Sequence, residues 1–134
     1  MPWKTTVRKA KEDLREGKSP TTAAGEFVKE EMEHIRRGKH GARSPKQAIA
    51  IGLSKARRSG VPLPPPGKGQ AKPSTRRSAQ RASEVGQGKR SPRRPSPKRS
   101  RAVTDALKRE GRSAASHAAL SRQARSAARR RRSR

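Results

Sequence analysis

The chain contains no cysteine and no tyrosine, and only one tryptophan and one phenylalanine in 134 residues. Without thiols there is no disulfide framework and no thiolate metal site. With so few aromatic rings there is little from which to build the stacking platforms that single-strand and RNA-recognition modules use to hold bases. Large apolar residues are scarce as well. Leu, Ile, Val and Phe together number 14, well under the roughly 20% below which a highly charged composition points to disorder. Of the 36 hydrophobic residues 19 are alanine, which bury little area. One full-length compact globule is therefore not expected. No apolar run approaches the roughly 20 residues of a membrane-spanning helix. The first residues carry no apolar signal core, so the sequence reads as that of an intracellular protein.

What the chain has in excess is positive charge. Lys and Arg number 37 against 10 Asp and Glu, a formal net charge of +27. A chain this basic calls for a polyanion, and nucleic acid is the commonest one. The charge is unevenly placed. Residues 1–33 hold seven bases and seven acids, whereas residues 34–134 hold 30 bases and three acids. Apolar residues show the opposite bias: of the 17 that are not alanine, 13 lie in residues 1–63.

The N-terminal pattern is helical. Trp3, Val7, Ala10 and Leu14 recur on one helical face, and Gly17 suits the position just past the end. Ser19-Pro20 reads as an N-cap followed by proline at the first helical position. Phe27, Val28, Met32 and Ile35 form the stripe of a second helix, with its acids preceding its bases in the sense that suits the helix dipole. Ser44-Pro45-Lys46-Gln47 is a capping box, opening a third helix with a broad apolar face from Ala48 to Ala56 that Gly60 can end. Eight of the eleven prolines fall in residues 61–100, with Pro64-Pro65-Pro66 favouring polyproline II. Helical character returns with Ala102, Val103, Ala106 and Leu107, and again after Ser113, a candidate cap. The expected fold is thus mainly α with extensive disorder. A small helical region (1–60, two or three short helices) is followed by a disordered Pro/Ser/Arg-rich linker (61–100) and a basic Ala/Arg-rich helical tail (101–134). A core this small needs help, and self-association or folding on DNA can supply it.

The sharpest local motif occurs twice, as Ser91-Pro92-Arg93-Arg94 and Ser96-Pro97-Lys98-Arg99. Ser-Pro favours a turn, and two cations follow it. The narrow minor groove of A·T-rich DNA has an enhanced negative potential that attracts such cations. Arg93, Arg94, Lys98 and Arg99 are therefore the candidate minor-groove contacts, with readout limited to A·T against G·C. Arg129, Arg130, Arg131 and Arg132 end a basic C-terminus, Arg122 to Arg134, suited to phosphates. On the third helix, Lys46, Lys55, Arg57 and Arg58 are further phosphate candidates. Gln47 near that helix start could read adenine, but completion of the capping box explains it better.

Support for catalysis is thin. The histidines are His34, His40 and His117. Glu31 and His34 have the Glu-x-x-His spacing that di-iron bundles use in pairs, but it occurs once and reads as a helix-surface pair. Gly67-Lys68-Gly69 lacks the spacing of a phosphate loop. No enzyme, cofactor or metal is expected.

Residues Glu26 to Pro66, EFVKEEMEHIRRGKHGARSPKQAIAIGLSKARRSGVPLPPP, resemble a family of small, highly basic bacterial proteins. That family is centred on a G-K-H-G-A-R-S-x-K-Q-A-I-A-I-G-L-S-K-A-R-R core, and its members are labelled uncharacterised, DNA-binding or plasmid-stabilisation proteins. The two Ser-Pro motifs resemble the repeats in the tails of some linker and sperm histones. The resemblance implies a bacterial cytoplasmic setting at the nucleoid and a DNA partner. Residues and resemblance together lead to a sequence-tolerant, histone-like DNA-binding protein of the nucleoid or of plasmid maintenance. The alternatives are an RNA- or ribosome-associated basic protein and a protein-partner adaptor whose basic tail adds avidity.

Overall fold

A computed structural model of the chain describes residues 2–133. Six α-helices run along them: α1 (Lys4–Arg15), α2 (Pro20–Arg36), α3 (Pro45–Arg58), α4 (Pro73–Gly86), α5 (Pro97–Arg109) and α6 (His117–Arg132), with a short 3-10 turn at Ser113–Ala115. Two compact units form, one from Met1–Glu30 with Ile51–Arg94, the other from Glu31–Ala50 with Pro95–Arg134. Each therefore combines stretches far apart in sequence, and the division falls within α2 and α3.

The first three helices start and stop where their local chemistry requires. The Thr22 N–H donates to the Ser19 hydroxyl (3.2 Å) at the head of α2. The Gln47 N–H donates to Ser44 Oγ (3.3 Å), and Gln47 Oε1 accepts from the Arg43 N–H (2.6 Å), so the box before α3 is closed one residue earlier than its ideal form. α1 ends in a Schellman turn. Gly17, at φ +81°, donates to Leu14 O while Lys18 donates to Asp13 O. The Lys18 ammonium then lies 3.2 Å from Glu16 and 3.3 Å from Asp13, and these carboxylates raise it above its ordinary pKa.

The core of the first unit is made mainly of small residues. Ala10, Ala23, Ala24, Phe27, Ala56, Val61 and Leu63 are buried together, with Val7, Leu14 and Leu53 packed against them. Phe27 is its largest member and is fully buried. Two of these residues, Val61 and Leu63, come from the proline segment. It runs as an extended strap from Val61 to Pro66 and closes over the helices. The strap is held from below by Arg57, whose Nε donates to Leu63 O (3.3 Å) and whose Nη2 donates to Pro64 O (2.9 Å). A proline strap has acceptors but few donors, so a guanidinium with five N–H groups is a fitting partner. α4 is tied to both ends of the strap: Arg76 Nε donates to Pro66 O (3.1 Å) at its far end, and Nε2 of Gln87, the residue that caps α4, donates to O of Gly60 (3.2 Å) just before it begins.

The extensive disorder expected for residues 61–100 is thus not what the structure shows. α4 lies within that segment, and α5 begins within it. The reason is visible in the packing. α4 buries only Ala79 and Ala82, and a Cβ on Gly86 would meet the carbonyl oxygen of Arg57. Small residues let backbones approach closely, which a count of large apolar residues cannot register.

In the second unit Met32, Ile35, Ala42, Ala48, Ala114, Ala115 and Ala119 are buried. Arg36 Nε donates to Ala115 O (3.0 Å). The Gly41 N–H donates to Leu107 O (2.8 Å) and the Ala42 N–H to Gly111 O (3.2 Å), fixing the loop before α3 to the end of α5. Two expectations change here. α5 starts at Pro97 with Ser96 as its N-cap, accepting from the Arg99 N–H (3.3 Å). α6 is capped by Ser116 rather than Ser113, which opens the 3-10 turn. No helix among the described residues is long and apolar enough to cross a membrane.

Two glycines give a test of this packing with opposite signs. A Cβ on Gly25, within α2, meets nothing within 4 Å, so Gly25→Ala is expected to stabilise the protein by about 0.5–1 kcal/mol. Gly86→Ala drives a methyl into the Arg57 carbonyl and is expected to destabilise by about 1–3 kcal/mol. Urea unfolding of the two variants measures both.

Candidate nucleic-acid interface

The first unit carries a groove of about 560 Å³ with one dominant chemistry. Its lining includes Arg58, Arg77, Arg81 and Arg93, with the hydroxyls of Ser54, Ser74 and Ser78, and none of its lining residues is acidic. Three separate segments supply it. Ser54 and Arg58 stand one turn apart on α3, where Arg58 Nη2 donates to Ser54 Oγ (2.6 Å). Ser74, Arg77, Ser78, Arg81, Ala82 and Val85 all lie on one face of α4, at the helical spacings i, i+3, i+4, i+7, i+8 and i+11. Pro92 and Arg93 come from the extended segment that follows α4.

The opposite side of α4 carries Arg76, which is tied to the strap. The helix thus has one anchored face and one arginine face, and the first aims the second. Arg77 is exposed and Arg81 half-buried. Guanidiniums beside hydroxyl donors form a surface for phosphate oxygens, which accept several such bonds at once. Nothing here stacks on a base, because Phe27 is fully buried and no aromatic ring lines the groove.

The structure sorts the expected residues. Arg58 and Arg93 are brought together in the groove. Arg57 is not available to a phosphate; it is 7% exposed and engaged with the strap, and burial lowers its pKa from the ordinary value. Arg94 is exposed beside Arg93, and Lys46 is exposed in the first turn of α3, while Lys55 is half-buried. Lys98 and Arg99 occupy the first turn of α5 and Arg129–Arg132 the last turn of α6, all exposed. Four arginines at a helix C-terminus suit its dipole. Arg134, the last residue of the expected basic end, lies outside the described residues. The two Ser-Pro motifs part company: Ser91–Arg94 is extended and reaches the groove, whereas Ser96-Pro97 starts a helix.

Arg77 and Arg81 were missed from the sequence because residues 61–100 read as linker. The spacing of Ser74, Arg77, Ser78 and Arg81 would have revealed them, being a helical polar stripe bordered on one side by the small residues Ala79 and Ala82.

The remaining titratable cluster lies in the second unit. Glu31 is fully buried and His34 is 7% exposed, so they are not the helix-surface pair that their spacing suggested. His40 joins them, with Nε2 3.2 Å from Glu31 Oε2.

Two neighbouring arginines are expected to separate the roles of strap and groove. Arg57→Met should cost about 2–3 kcal/mol in urea unfolding, because charge-assisted bonds to two carbonyls are lost, and should leave the salt dependence of DNA binding unchanged. Arg77→Ala should leave stability within about 0.5 kcal/mol and lower the salt slope of binding by about 1.

Residues 4–67, just under half of the chain, match DUF6496, a family of unknown function. The matched stretch spans α1 to α3 and the strap, and holds Ser54 and Arg58 of the groove but none of α4. Among curated proteins and solved structures no match is found.

Proposed function

We propose that this chain is a sequence-tolerant, duplex-DNA-binding protein of the bacterial nucleoid or of plasmid maintenance, histone-like in relying on phosphate contacts. The observation that carries this reading is the convergence of Arg58, Arg77, Arg81 and Arg93 on one groove without an acid among them. Its context is a net charge of +27. Binding is driven by release of counterions from neutralised phosphates. The groove positions the duplex, and the exposed cations of α5 and α6 add phosphate contacts that carry no sequence information. Arg93 and Arg94, on an extended segment, are the residues placed to enter a minor groove, giving a weak preference for A·T-rich DNA. Want of aromatic rings along the groove disfavours single strands and looped RNA, whose recognition depends on stacking.

Fluorescence anisotropy on A·T-rich DNA, G·C-rich DNA and duplex RNA of equal length, across a salt series, tests this. The expected result is a steep salt slope, about 0.9 per phosphate contacted on B-DNA, with A·T-rich DNA bound tightest. Equal binding to both DNAs retains the charge mechanism and removes the minor-groove contact. Tightest binding to RNA selects an RNA-associated role. Weak, salt-insensitive binding to all three overturns the proposal in favour of a protein partner.

A further inference from the structure

We propose that Glu31, His34 and His40 form a binding site for one divalent transition-metal ion, zinc in particular. The three residues come from the last turns of α2 and the loop after it. One ligand atom from each lies within 4.8 Å of the other two. His40 is half-buried, while Glu31 and His34 are buried.

The hydrogen bonding of His40 is the first argument. Its Nδ1 lies 2.8 Å from the carbonyl oxygen of Gly41. A carbonyl only accepts, so Nδ1 carries the hydrogen. In the neutral ring Nε2 then presents a lone pair, and it faces Glu31 Oε2 at 3.2 Å. Two acceptors do not face each other at that distance without a cation between them, either a proton on Nε2 or a metal ion. A backbone carbonyl that accepts from the non-ligating nitrogen is also the usual second partner of a metal-bound histidine.

The second argument is His34. Its Nδ1 lies 3.8 Å from the other carboxylate oxygen, Glu31 Oε1. The two rings stand edge to face, with centroids 6.0 Å apart and planes at 76°. With protons alone, each ring needs one of its own to meet the carboxylate. A metal ion accounts for both. With bonds of about 2.0–2.2 Å, a tetrahedral ion holds its ligand atoms about 3.4 Å apart; the 3.2 Å contact of His40 with Oε2 is near that spacing, while the 3.8 Å contact of His34 runs to the other oxygen, Oε1, so the two oxygens of Glu31 together face the two rings. Two imidazoles and one carboxylate suit zinc or ferrous iron, and not calcium or magnesium, which require mostly oxygen ligands.

The site's place in the fold gives the ion a purpose. His40 precedes Gly41, whose N–H donates to Leu107 O (2.8 Å) at the end of α5. Gly41 leaves no room for a Cβ against Glu110. An ion held by His40 therefore fixes the turn that receives α5, a helix that buries no residue of its own. Small domains short of apolar core are commonly stapled in this way.

The test uses the full chain, stripped with a chelator and dialysed. Cobalt(II) serves as the spectroscopic probe and zinc is titrated by calorimetry. One ion per chain is expected, with a visible cobalt band that zinc abolishes. His40→Ala should weaken zinc binding by at least about tenfold, and His117→Ala, at an exposed position outside the cluster, should leave it unchanged. Absence of a cobalt band and of zinc heat in the unsubstituted chain, or equal binding by His40→Ala, overturns the proposal and leaves a proton-held His40–Glu31 pair. Should His40→Ala fail to fold, ring-nitrogen NMR of the unsubstituted chain decides: shifts of two imidazoles on zinc addition support the site, and unmoved resonances overturn it.

Discussion

A buried guanidinium beneath a proline strap is the constraint on which the first unit depends. Taking Arg57 out of water is costly unless its N–H groups are met, and the strap, whose four prolines have no N–H, offers the carbonyls of Leu63 and Pro64 with few backbone donors of its own to satisfy them. The match holds Val61 and Leu63 over Phe27, closing a core otherwise built mostly of alanine. It also sets the direction of Pro66, whose carbonyl takes Arg76 and so fixes the rotation of α4. The arginine face of that helix points into the groove because its other face is tied down. One arginine spent on structure thereby aims several others.

Much of this architecture was legible in sequence and some of it was not, for physical reasons. α1 to α3 could be read because their ends carry unambiguous chemistry: Ser19-Pro20, Ser44 with Gln47, and glycines just past the last turn. α4 could not, because its buried face is Ala79, Ala82 and Gly86. Its stability comes from close backbone approach, a quantity of distance that leaves little trace in hydrophobicity. Arg57 and Arg58 are adjacent and chemically identical, yet one is buried under the strap and the other lines the groove. Only helix phase and the position of the strap distinguish them. Glu31 and His34 could be paired from their spacing, but their burial and the arrival of His40 depend on a turn made by Gly38 and Gly41.

The two Ser-Pro-basic motifs show how context divides a repeated sequence. In the first, proline continues an extended segment and leaves Arg93 at the groove. In the second, it occupies the first position of α5, with Ser96 capping the helix and Lys98 and Arg99 carried into its first turn. The difference follows from what comes next. Pro95 and Ser96 follow the first motif, whereas the second runs into Arg101, Ala102 and Val103, a sequence able to propagate a helix.

A groove walled by four guanidiniums and no acid is also a store of electrostatic energy. Like charges held on one rigid face repel each other, and the helices that carry them must resist that repulsion. Ions that gather there relieve it. By linkage, whatever binds the folded wall more tightly than the unfolded chain also tightens the fold. Dilution of the surrounding salt therefore strains the first unit at α4, and a polyanion laid along its arginine face would relieve that strain most where salt is lowest, holding the wall together like a mortar.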